Sequence, residues 1–122
     1  MRTGTIEITE ATVVDDDLVG AMARLVPQLS SSGSSPDVEA LEAIVASDSS
    51  VLLIAVSERV IVGALTLVLF RIPTGLRAWI EDVIVDEAAR GRGIGEALNQ
   101  AAIERARAAG ARTVDLTSRP SR

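Results

Sequence analysis

Residues 83–95 read Val-Ile-Val-Asp-Glu-Ala-Ala-Arg-Gly-Arg-Gly-Ile-Gly, and the fold turns on how this run is parsed. Val83, Ile84 and Val85 are β-branched and apolar, Asp86 and Glu87 make an acidic turn, and glycines stand at 91, 93 and 95. From Ile94 the apolar residues Ala97, Leu98, Ala101, Ala102 and Ala108 follow at helical spacing, until Gly110. The run predicts a strand, a glycine-rich loop and a long helix. Glycines bare the backbone where it enters the helix, whose first amides are unpaired and whose dipole adds about half a positive charge. Arg90 and Arg92 bring two formal charges to the same loop. A loop of this kind suits a phosphate or pyrophosphate.

Two familiar phosphate loops fit poorly. A P-loop needs Gly-Lys-Ser/Thr at the helix start, and all twelve basic residues here are arginine. A dinucleotide fingerprint needs Gly-x-Gly-x-x-Gly and an acidic residue at the end of the next strand. Here the glycines alternate and Asp115 comes early in that strand. A small nucleotide-binding α/β domain remains the remoter alternative.

Composition narrows the classes further. The 122 residues suffice for one domain, and with 48% hydrophobic but only 2% aromatic residues the core must be aliphatic. A net charge of −5 argues against nucleic acid as the partner, because no basic face is available to neutralise phosphates. The chain has no cysteine and no histidine, hence no disulfide, no thiolate nucleophile and none of the commonest metal ligands. No metal is expected. Neither a membrane-spanning segment nor a signal-peptide layout is visible, so no membrane partner and a cytoplasmic location are expected.

The chain order completes the outline. Residues 5–12 alternate as a first strand, and Asp15-Asp16-Asp17 starts a helix whose apolar face is Leu18, Met22, Leu25, Val26 and Leu29. A serine- and glycine-rich loop covers 30–35, and Ser35-Pro36-Asp37 opens a second helix with proline at its first position. Val51 to Val56 is continuously apolar, as in a strand covered on both faces. Ser57-Glu58-Arg59 turns into a strand over 60–70, and Pro73-Thr74-Gly75 turns into another over 78–85. Residues 113–117 make the last strand.

The pattern Arg-Gly-Arg-Gly-Ile-Gly at 90–95, after a strand ending Val-Asp, resembles the coenzyme A pyrophosphate loop of the GCN5-related N-acetyltransferases (GNAT). The element order β-α-α-β-β-β-α-β is similar to the first two-thirds of that fold. The resemblance implies an α/β protein with a mixed, mainly antiparallel central sheet flanked by helices, in a single domain over 1–122. It also implies acetyl-CoA as co-substrate, transfer to a primary amine by direct attack in a ternary complex, and a small-molecule or peptide acceptor. Arg90, Gly91, Arg92, Gly93, Ile94 and Gly95 would hold the pyrophosphate, and the backbone of Val83, Ile84 and Val85 would pair with the pantetheine arm. The family usually continues with a further helix and two strands, which supply a tyrosine near the thiol. The chain stops at Arg122 and has no tyrosine, so it is expected to be a form truncated after the fifth strand, its general acid unassigned. A coenzyme A-binding module with little activity is the alternative. The last strand, with only Asp115 to blunt its edge, predicts a homodimer.

Glu81 and Asp82 interrupt the apolar strand Trp79-Ile80-Glu81-Asp82-Val83-Ile84-Val85 at its centre. Unpaired carboxylates are costly to bury, so such residues line clefts or find partners. Both are candidate catalytic groups, as acceptors of the amine's proton. The Ile-Glu-Asp-Val-x-Val run is also similar to the strand that lines the acceptor site in glucosamine-phosphate N-acetyltransferases. The other reading is structural ion pairing with Arg71 or Arg77. Strict alternation would put Trp79, Glu81, Val83 and Val85 on one face and Ile80, Asp82 and Ile84 on the other.

Overall fold

A computed structural model describes residues 5–29 and 34–116. Its five strands lie in sequence order in one sheet: β1 (Ile6–Glu10), β2 (Ser50–Ser57), β3 (Val60–Ile72), β4 (Gly75–Val85) and β5 (Thr113–Leu116). The first four pair antiparallel, and β5 joins β4 in parallel after crossing over through helix α3 (Ile94–Ala108). Helices α1 (Asp16–Leu29) and α2 (Val38–Ala46) fill the gap between β1 and β2. No helix among the described residues is long and apolar enough to cross a membrane. The expected mixed sheet flanked by helices is therefore present, with β4 beginning three residues earlier than its alternation suggested.

The sheet carries an aliphatic core on each face. On one, Ile94, Leu98, Ala102 and Ala106 of α3 pack on Leu53, Leu65, Leu67 and Ile80. On the other, Leu18, Met22 and Leu25 of α1 and Leu41 of α2 pack on Leu52, Ala64 and Ile84. The continuous apolar run of β2 follows directly, since Leu53 and Leu52 serve opposite cores. Gly63 sets how closely α3 approaches: a Cβ there would lie 3.1 Å from both the Ile84 carbonyl oxygen and Ile94 Cγ2. With the core built from small aliphatics, such close approach keeps α3 in van der Waals contact with the sheet.

Local signals explain most boundaries. Asp15 caps α1, its Oδ1 accepting from the Leu18 N–H at 2.9 Å. Asp37, with extended backbone, caps α2 and accepts from the Ala40 N–H at 2.8 Å. Pro36 therefore precedes the cap rather than opening the helix as expected, because the carboxylate satisfies an amide that proline's ring cannot. The β2–β3 turn places Glu58 and Arg59 at φ of +51° and +69°, the twist that a two-residue hairpin demands. Gly110 ends α3 at φ +92°. Thr117, expected in the last strand, lies outside the described residues.

One side-chain network fixes α1 to the loop that follows β4. Arg24 donates to Asp86 Oδ2 at 3.2 Å and to the Ile61 carbonyl at 2.6 Å. One turn later, Gln28 donates to Asp86 Oδ1 at 3.4 Å and accepts the Glu87 N–H at 2.8 Å. Asp86 itself caps the short 3-10 turn Glu87–Ala89, accepting from the Ala88 N–H at 3.1 Å. The Ala88 amide, followed by Gln28 and Arg24, holds the Asp86 carboxyl below its ordinary range against the opposing pull of burial. A carboxyl lowered on folding stabilises the protein above its unfolded value and ceases to do so as pH falls through the folded one. Asp86→Ala is therefore predicted to cost about 1–2 kcal/mol near neutrality. The gap from wild type should narrow below about pH 4, the ordinary carboxylate range. Urea unfolding at several pH values checks this, and a gap that stays constant down to pH 2 would refute it.

Candidate functional site

The glycine loop is shaped by backbone conformation. Gly91 and Gly93 sit at φ of +86° and +75°, where side chains are disfavoured, and a Cβ at either would meet nothing within 4 Å. The space above them is open. Gly93 is the N-cap of α3 but provides no side-chain cap, and the first helical bond closes only at Ala97, onto the Gly93 carbonyl at 3.0 Å. The amides of Ile94, Gly95 and Glu96 thus have no acceptor within the helix. At Gly95 the backbone is helical, and a Cβ would lie at an ordinary 3.7 Å from Val85 Cγ2. The scaffold tolerates a methyl there.

The two loop arginines differ. Arg92 is half-buried, and its Nη2 donates to Oγ of the buried Ser57 at 2.9 Å, tying the loop to the end of β2. Arg90 is exposed, with a long 3.4 Å contact from Nε to the Val85 carbonyl. Ile94 is 2% exposed and belongs to the core, so it can offer a ligand only its backbone. The same holds for Ile84 in the opposite core.

Strand β4 does not alternate as expected. Ala64 faces Ile84 and Thr66 faces Glu81, so Leu65 alone stands opposite both Asp82 and Val83. Asp82 is the extra residue of a β-bulge, with φ of +51°. The bulge reverses the phase: Ile80, Val83 and Val85 share the α3 side, while Ile84 joins the α1/α2 core. This corrects the strict two-face assignment. Glu81 and Asp82 are not on opposite faces. Glu81, half-buried, shares its side of the sheet with its cross-strand partner Thr66. Asp82 is exposed and, with Thr66 and Ile84, lines a cavity of about 240 Å³ beneath α1 and α2. Ser34 and Pro36, ahead of α2, line the same cavity.

Neither acid forms an ion pair with a described residue. Among the described residues the ion pairs are Arg24–Asp86 and Arg105–Glu10, so the alternative pairing with Arg71 or Arg77 does not form. Arg77 instead donates to Thr74 at 3.3 Å. Two larger or similar cavities, of about 420 and 270 Å³, lie at the β3–β4 hairpin and at the start of α1, away from both the loop and the acids.

Between loop and acids runs a backbone edge that is unpaired among the described residues. Strand β5 pairs with β4 only over Arg77–Ile80, so Glu81 to Val85 have no described strand beside them on that side. Unpaired strand edges accept further extended chains. An edge without a described strand beside it, amides without an intrahelical acceptor at its end and two carboxylates at its bulge are thus brought together by β4. The Arg24–Gln28 contacts to Asp86 and Glu87 were not visible in the sequence, since 58 to 62 residues separate the partners. Their helical i, i+4 spacing was the one available hint.

The Acetyltransferase (GNAT) family profile matches residues 18–122. The chain is similar to the crystal structure of a transcriptional regulator from Bacillus halodurans C-125, at 31% identity and TM-score 0.77 over 97% of this chain and 85% of that one. It superposes at TM-score 0.81 and 18% identity on a GNAT family acetyltransferase from Staphylococcus aureus subsp. aureus USA300_TCH1516, covering 93% and 87% of the two chains. An aminoglycoside acetyltransferase from an uncultured soil metagenomic sample, solved with sisomicin, gives 0.82 and 24% over 94% and 78%. The last two likenesses speak to fold alone. No curated protein sequence matches the chain. With the family profile spanning most of its length and the fold in agreement, the chain belongs to the GNAT acetyltransferases and is an acyltransferase.

Proposed function

We propose that this protein transfers an acetyl group from acetyl-CoA to a primary amine by direct attack within a ternary complex. The observation that carries the reading is the junction of β4 and α3, where open space over Gly91 and Gly93 faces the free first-turn amides. Those features fit an anionic diphosphate, which the helix dipole would favour further. Acetyl-CoA supplies the thioester. The edge from Val83 to Val85 offers main-chain groups to its extended arm, as an added strand would find them. An acceptor amine is mostly ammonium at neutral pH and must lose a proton to attack. Glu81, half-buried at the bulge, is assigned as proton acceptor, and Asp82 as the charge that attracts the ammonium. Direct transfer agrees with a sequence lacking cysteine and histidine, the side chains best suited to carry the acetyl group covalently.

Binding is tested first. At a hundredfold excess over its dissociation constant, acetyl-CoA should stabilise the protein by about 2.7 kcal/mol in a thermal-shift assay. Gly93→Glu is predicted to abolish that shift, because its carboxylate would occupy the anion's place. A full shift in the variant would remove the loop from the site.

Catalysis is tested separately. Glu81→Gln should lower kcat on the order of 10²-fold while leaving acetyl-CoA affinity nearly unchanged. The deficit should shrink at high pH, where more of the amine is already neutral. Wild-type rates at every pH would leave Glu81 without a catalytic role, and acetyl-CoA binding without turnover of any amine would favour a binding module.

The β5 edge and its exposed Leu116 are predicted to cover each other in a two-fold dimer. Sedimentation at low micromolar concentration checks this, and a monomer there would overturn it.

A further inference from the structure

The cavity beneath α1 and α2 has a chemistry that the loop and the acids do not explain. Its walls are apolar: Met22 and Val26 from α1, Leu41 and Ile44 from α2, and Ala64 and Ile84 from the sheet. Four of these belong to the buried core, so the recess reaches into the packed interior instead of lying flat on the surface. Polar lining is confined to a few groups, with Asp82 the one formal charge among the lining residues. Asp82 holds φ of +51°, an uncommon conformation for a residue other than glycine, though aspartate tolerates it better than most. It forms no ion pair with a described residue. One uncompensated carboxylate at an apolar recess is the complement of one ammonium group on an apolar body.

Size restricts that body. A dry cavity of about 150 Å³ lined by aliphatic and aromatic side chains accepts a benzene molecule. The recess here measures about 240 Å³, room for a ring of that size with a short linker. It is small beside the roughly 300–1,000 Å³ of sites that enclose drug-sized ligands. A polyamine or aminoglycoside carries several charges and hydroxyls, and placing these against Met22, Leu41 and Ile84 would strip their water without return.

We propose that the acceptor is a monoamine with a compact apolar body, an aryl- or cycloalkyl-alkylamine, whose ring enters the Met22–Leu41–Ala64 recess while Asp82 receives its ammonium group. This rests on the acetyl-transfer reading above. The ammonium first gives one proton to Glu81; the neutral amine nitrogen then attacks the thioester carbon, the carbon–sulfur bond breaks, and the nitrogen's second surplus proton passes to the departing thiolate, so that coenzyme A leaves as the thiol.

The test compares 2-phenylethylamine with ethanolamine and spermidine as acceptors, in wild type and in Val26→Phe, which fills the recess from the half-buried side of α1. In wild type, kcat/KM for 2-phenylethylamine should exceed that for the polar amines by about 10- to 100-fold, the worth of burying one ring-sized body. In Val26→Phe the preference should vanish while the acetyl-CoA thermal shift persists, which also reports that the variant folds. Asp82→Asn keeps a side chain that tolerates the backbone there, and it should remove the advantage of 2-phenylethylamine over neutral 2-phenylethanol in binding. Equal or better use of the polar amines, or a preference that survives Val26→Phe, would overturn the proposal. If no amine is turned over, the added thermal shift from 2-phenylethylamine in the presence of coenzyme A decides: its presence supports the recess as the amine site and its absence refutes it. If acetyl-CoA itself fails to bind, the transfer reading falls, and the same amine shift on the protein alone still decides the recess.

Discussion

The bulge at Asp82 is the constraint on which the rest of the site depends. A regular β4 would send Ile80 and Ile84 into one core. One extra residue opposite Leu65 divides them, so Ile80 packs under α3 and Ile84 under α1 and α2. Both cores are satisfied by a single strand because its phase changes midway. The two acids fall at the point of change, where the pleat is broken and neither core claims them. Beyond the bulge, β4 runs on to Val85 without β5 at its side. The same irregularity thus places carboxylates, an open edge and the start of the glycine loop along a few consecutive residues.

Helix α1 serves two masters. Met22 and Val26 border the recess below the bulge. On another side, Arg24 and Gln28 hold Asp86, Glu87 and Ile61. The recess and the start of the glycine loop are therefore built against one helix. Pro27 lies between these groups and the helix continues through it to Leu29, which is possible because the lost hydrogen bond falls in the last turn. Substitutions on α1 that shift it axially would disturb both subsites together, because the two sets of contacts share one backbone.

The loop itself shows a division of labour among its glycines. Gly91 and Gly93 are required by left-handed backbone, whereas Gly95 is helical and the scaffold would admit a larger residue. Arg92, anchored to Ser57, acts as a brace for the loop as much as a charge, which a charge count alone would not reveal.

Residues 83–95 by themselves determined strand, loop and helix, because glycine spacing, β-branching and helical periodicity are local properties that act over a few residues. The double-sided burial of β2 and the caps at Asp15 and Gly110 were legible for the same reason. Leu29, Ala108 and Pro36 were misjudged at helix ends: Leu29 and Ala108 are exposed, and the Asp37 cap displaced Pro36 from the first turn. Only the tertiary structure decided the facing of Glu81 and Asp82. A bulge is a mismatch between two strands, set by which β3 residues oppose β4, and a single strand's alternation carries no trace of it. The Arg24–Asp86 pairing and the recess are likewise products of packing, since charge partners and empty volume exist only once α1 has been laid across the sheet.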